Sequence, residues 1–295
     1  MDSSIHVLDS IQRTRLAAVG SATVLVYDHF ITIDQEINLV WKKDWSFLKC
    51  VFIFHRYLGF LCVMIELFAT LSPHVSDDVS AFWFHWEMWG YTVVVLTSEL
   101  VLLLWIFVVY NRKVHILAFL GVLWTAELIS VVVILAKSFA RLQITANLIP
   151  GLGNFCSLIN EPPFFYWYWL PVLLYNSAIL VLFVHKGTEI LRVSHVSLLH
   201  DVYRRSFVNF LAIFVAYLLC CVLWLTANFS LGQIPVGFAL SFSITNSTRL
   251  LINIRHAYYM REEVDLDRPI AAIYANETPR EEWLFELREM RLLGR

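Results

Sequence analysis

Charge and flexible punctuation are both in short supply in this sequence. Only 16% of its 295 residues are Asp, Glu, Lys or Arg, against 59% hydrophobic, and mean hydropathy is +0.65. That balance excludes an ordinary soluble domain and points to an integral membrane chain. Ten glycines and eight prolines leave no room for a long flexible linker. Five cysteines make no disulfide framework, because Cys50, Cys62, Cys220 and Cys221 lie in or beside apolar runs and only Cys156 falls in a long connection. No basic patch interleaved with aromatics stands outside the apolar runs, so nucleic-acid binding is not expected.

Catalytic signatures are missing as well. No serine sits in a GxSxG context and no Gly-rich phosphate loop occurs. His195 and His200, with Asp201 beside them, are spaced i,i+5 and do not share a helical face as the histidines of HExxH do. His55 has no matching ligand cluster. Neither a cofactor nor a metal is expected, and an enzymatic role is the least supported.

What the chain does contain is seven apolar runs of about the length that spans a hydrocarbon core of roughly 30 Å. They are Leu16 to Leu39, Leu48 to Leu71, Met88 to Tyr110, Val114 to Ala136, Phe164 to Val184, Phe207 to Thr226 and Gln233 to Ile254. Period-2 alternation is absent, so the expectation is an all-α, seven-transmembrane helical bundle rather than a barrel. The polar start before Leu16 is not followed by a cleavage pattern, which makes the first run a retained anchor.

Of the 22 basic residues, sixteen lie in the first, third and fifth connections and the tail, from Lys42 and Lys43 to Arg295. Only Arg13, Arg15, Lys137 and Arg141 fall on the opposite side. Retention of basic residues in the cytoplasm then places the N-terminus outside and the C-terminus inside a plasma membrane or endomembrane. Trp and Tyr groups such as Trp41, Trp45, Trp83, Trp86, Trp89 and Tyr166 to Trp169 are read as rings at headgroup depth. The connection from Lys137 to Pro163 carries Pro150, Gly151, Gly153 and Pro162 and reads as turns rather than helix.

The chain divides into a transmembrane domain, 1–255, and a cytoplasmic tail, 256–295. Thr278-Pro279-Arg280-Glu281 has the form of a capping box opening a short amphipathic helix, with Trp283, Leu287 and Met290 on one face. That helix lies on the membrane, on the protein's own inner loops, or against a cytoplasmic partner.

Ionisable groups inside the runs are the candidate site. Asp28, Glu66, Glu99 and Glu127 are the candidate acids, Arg56 and Arg249 the candidate cations, and Asn246, Arg249 and Asn253 form a polar stripe on the last run. At 1.5 Å per residue Asp28, Arg56 and Arg249 share a layer roughly 8–12 Å from the inner face, so Asp28 is positioned to serve both arginines. Glu99 and Glu127 fall nearer the midplane and Glu66 in the outer half. Four acids exceed two arginines, and the surplus must be protonated or hydrogen-bonded.

The run Tyr27-Asp28-His29-Phe30-Ile31-Thr32-Ile33-Asp34-Gln35-Glu36-Ile37, followed by Val40-Trp41-Lys42 and Trp45, resembles the signature of fungal membrane proteins carrying the N-terminal domain of unknown function 6533. Ala126-Glu127, Tyr110-Asn111-Arg112, Trp169-Leu170-Pro171 and Arg249 to Arg255 extend the resemblance over nearly the whole membrane part. The chain departs from that pattern at Trp105 and Arg205, where the resemblance implies an arginine and an acid. It implies kinship and no activity. The likeness to G-protein-coupled receptors is one of topology only, since the last run lacks Asn-Pro-x-x-Tyr.

These features suit a receptor-like sensor whose ligand enters from the outer side. Alternatives are a proton-coupled transporter or channel using the buried carboxylates, or a purely structural membrane protein whose polar groups hold its helices together.

Overall fold

The computed structural model describes residues 2–72, 76–110, 113–140, 143–145, 157–160, 165–193, 197–226 and 229–266. Among these the chain forms seven helices: α1 (Asp2–Glu36), α2 (Phe47–Leu71), α3 (Asp77–Val109), α4 (Val114–Phe139), α5 (Trp169–Val193), α6 (Ser197–Thr226) and α7 (Phe229–Leu266). The first six are long and apolar enough to cross a membrane, and the protein is an all-α, multi-pass membrane protein. The tail's capping box and amphipathic helix lie outside the described residues. So does Cys156.

Helix ends follow local chemistry. α3 begins at Asp77, about three turns before the expected Met88. The run of apolar residues starts late, but Ser76 caps the helix by accepting from Val79 N at 3.3 Å, and Asp77 and Asp78 sit where the helix dipole favours acids. α2 is capped likewise by Ser46, which accepts from Lys49 N. α7 continues past Arg255 to Leu266, and α5 carries Pro171 in its first turn, where a missing N–H costs nothing. Between α4 and α5, where turns were expected, β1 (Gln143–Thr145) pairs antiparallel with β2 (Ser157–Asn160), with Thr145 opposite Ser157.

Pairings along the helices give their directions. Arg15 Nε reaches Thr70 O at 3.0 Å while Arg56 meets Glu36, so α1 and α2 are antiparallel. Ser241 bonds Ser21 O, Arg249 bonds Asp28 and Arg255 bonds Leu39 O, so α7 runs parallel to α1. α7 packs against α1, α2, α3 and α6. Its fully buried face is Ser241, Ser243, Ser247 and Thr248. Small hydroxyl residues let helices approach closely where no lipid is met, and they lower the apolar content of α7. α3 is the hub: 67% of its apolar window is buried, against 17% for α4, which leaves α4 as a peripheral, lipid-facing helix.

Gly59 shows how tight the α2–α7 seam is. A Cβ there would lie 2.6 Å from Ile244 Cδ1, and Ile244 is itself buried, with nowhere to swing. Gly59→Ala is expected to cost about 1–3 kcal/mol through overpacking, read as a lower melting temperature in detergent. An unchanged melting curve would show that the seam can yield.

Candidate functional site

The C-terminal end of α1 winds into a π-helical turn, Ile37–Trp41, which leaves main-chain carbonyls without helical partners. Cations satisfy them. Lys49 Nζ donates to Lys43 O at 2.8 Å and Trp41 O at 3.3 Å, and Arg255 Nη1 donates to Leu39 O at 2.7 Å. Arg255 Nη2 also reaches Ser46 Oγ, so α1, α2 and α7 are tied together by two buried basic side chains. Both count in the basic excess of the connections and tail. Their burial makes them structural as well.

One layer deeper, the expected sharing of Asp28 by two arginines does not occur. Arg249 Nε donates to Asp28 Oδ1 at 2.7 Å, whereas Arg56 Nε pairs with Glu36 Oε2 at 2.9 Å and its Nη2 donates to Thr32 Oγ1 at 2.8 Å. Glu36 also accepts from Tyr57 OH at 2.7 Å and Trp41 Nε1 at 2.8 Å. Glu36 was overlooked because it closes the first helix beside an aromatic belt. Its signal was there: Asp28, Thr32 and Glu36 recur at i, i+4 and i+8 on one side of α1. Burial differs sharply between the pairs, with Arg56 and Glu36 at 3% and 1% side-chain exposure and Arg249 at 44%. Asn246 is half-buried and Asn253 exposed, so the stripe they form with Arg249 lies toward the periphery of the bundle.

Across the middle runs a hydrogen-bonded chain through four helices. Tyr217 OH (α6) donates to Ser243 Oγ (α7) at 3.0 Å, Ser243 donates to Ser98 Oγ (α3) at 2.6 Å, and Ser98 lies 3.3 Å from His55 Nε2 (α2). His55 Nδ1 lies 2.9 Å from Thr97 Oγ1, whose own proton goes to Val93 O. With the Thr97 proton already used, Nδ1 is placed to donate to Thr97 and Nε2 to accept from Ser98. His55, set aside in the sequence for want of metal-ligating neighbours, is a buried hydrogen-bonding residue.

Beside that chain, Glu99 (α3) and Glu127 (α4) are both buried and within hydrogen-bonding reach of each other. Glu99 Oε1 also accepts from Asn176 Nδ2 (α5) at 2.7 Å. Among the described residues no ion pair reaches either acid. Two carboxylates side by side in a dry interior repel, so such a pair is a natural place for a proton to be held.

A second acid pair lies about 18 Å along α3 toward its N-terminal end, from Glu99 to Glu87. Glu66 (α2) accepts a short hydrogen bond from Tyr91 OH, and Glu87 lies close enough to couple electrostatically to Glu66. Glu87 was not among the acids expected within the membrane, because α3 was taken to start after it. Between the pairs an apolar cavity is bounded by Tyr91, Tyr168, Tyr217, Trp169 and Trp224. Tyr168 OH in turn is 3.2 Å from Thr92 Oγ1.

Residues 16–61 match the model of a family of unknown function, DUF6533. The matched stretch holds Asp28, Glu36, Lys49, His55 and Arg56, while Glu87, Glu99 and Glu127 lie beyond it. A search of curated proteins finds no match to the chain.

Proposed function

We propose that the protein moves protons, alone or coupled to a solute, through the buried carboxyl groups of α3 and its neighbours. The observation that supports this is the Glu99–Glu127 pair, two buried acids side by side with an amide bonded to one of them and, among the described residues, no cation. In this reading α7 is a seventh span, since it runs parallel to α1 and packs along its length. The basic inner connections set the N-terminus outside, the tail meets a cytoplasmic partner, and the kin are the fungal proteins whose signature the chain resembles. Proteoliposomes holding the full chain are expected to dissipate an imposed pH gradient faster than empty vesicles. A rate equal to that of empty vesicles would eliminate the carrier.

The apolar cavity among α3, α5, α6 and α7 favours a second reading, the receptor-like sensor. A sensor moves no protons and is stabilised thermally by its ligand, which the same preparation distinguishes.

A further inference from the structure

Around the outer acid pair lie polar atoms that no described residue satisfies. Glu87 is 3% exposed, and its Oε2 has no hydrogen-bond partner among the described residues. The same is true of Trp86 Nε1 and of both amide atoms of Gln233. These groups share one neighbourhood. A Cβ on Gly90 would lie 2.9 Å from Cys62 Sγ and 3.9 Å from Trp86 Nε1, and a Cβ on Gly237 would lie 3.4 Å from Glu66 Oε1. Gln233 sits one turn outward of Gly237 on the same side of α7. Buried polar groups are paired in folded proteins almost without exception, and an orphaned carboxyl and amide together mark a place where something else binds.

We infer that Glu66, Glu87 and Gln233 form an outward-lying site for a small N–H-bearing cation, ammonium or a short primary alkylammonium. Two acids with no arginine, lysine or histidine paired to them among the described residues select positive charge. The unpartnered acceptors, Glu87 Oε2 and Gln233 Oε1, select a cation with hydrogens to donate. Among the described residues no three metal-ligating side chains come together, so a divalent metal is the poorer fit. Depth suits access from the outer side: Glu87 lies about 33 Å along α3 from its inner end at Val109, at the outer edge of a core about 30 Å thick.

A cation entering this site displaces a proton held by the acid pair, so one positive charge replaces another. As exchange across the membrane, that step rests on the carrier reading; as binding, it does not. The test uses the full chain in detergent near neutral pH, with methylammonium as the probe. Methylammonium is expected to bind saturably and to release about one proton per cation bound, read with a pH indicator in lightly buffered solution. Tetramethylammonium, which has no N–H, potassium and methanol are expected to release none. Glu87→Gln is expected to weaken methylammonium binding at least tenfold, with Glu66→Gln serving as the second variant if the first does not fold. Equal responses to methylammonium and potassium would overturn the site, as would unchanged binding in a folded variant at either position. Methylammonium binding in a protein that passes no protons in vesicles keeps the site and removes the carrier. Proton flux without methylammonium binding does the reverse.

Discussion

Arg56→Met is expected to cost about 3–5 kcal/mol of stability, the largest loss from any single substitution in the bundle. The guanidinium and the Glu36 carboxylate are almost fully enclosed, at 3% and 1% side-chain exposure, and the pair is completed by Thr32, Tyr57 and Trp41. Removing the cation strands Glu36 in a place where water cannot compensate it. Pairing the change with Glu36→Gln removes the stranded charge, and the double variant is expected to recover much of the loss. Arg249→Met is expected to cost less, because at 44% exposure the guanidinium can be solvated from the periphery and Asp28 is all it pairs with in the described structure. Thermal melting of the four proteins in one detergent checks this order. A larger loss for Arg249→Met than for Arg56→Met would show that Asp28, not Glu36, anchors the inner layer.

The contrast between the two arginines also marks how far the sequence could be read. Run lengths located the helices, because a hydrocarbon core dictates about twenty apolar residues whatever the fold. Depth arithmetic brought Asp28, Arg56 and Arg249 to one level, because rise per residue is fixed. Partner choice lay beyond that arithmetic, since it depends on helix rotation. The π-helical turn after Glu36 and the parallel packing of α7 on α1 are tertiary outcomes, and they decide that Glu36 goes to Arg56 and Asp28 to Arg249. Hydropathy misled at both ends of the site. It set the start of α3 after Glu87, although the Ser76 cap and two acids already announced a helix there. It also filed Trp86 with the interfacial aromatics, although its indole nitrogen is buried. Glu99 and Glu127 stood out in the sequence as acids nearer the midplane. That they meet each other and Asn176 follows only from α3, α4 and α5 packing side by side.

If those two acids carry the proton, Glu99→Gln and Glu127→Gln should each lower proton flux in proteoliposomes by about a hundredfold, the scale for losing a positioned proton donor or acceptor. An amide matches the size of a protonated carboxyl and keeps a donor and an acceptor, so the hydrogen bond between α3 and α4 survives the change. What is lost is the capacity to release and retake a proton. Folding is therefore expected to be little altered, and melting curves close to that of the native protein are the control. Asn176→Leu acts differently: it leaves Glu99 Oε1 without its donor, so it should lower stability before it lowers flux. Glu66→Gln, in the outer tier, should change the dependence of flux on methylammonium while leaving the Glu99–Glu127 contact in place. Native flux persisting at full rate in both midplane variants would mean that protons travel elsewhere, and the carboxyl pair would then be a helix contact between α3 and α4 and nothing more.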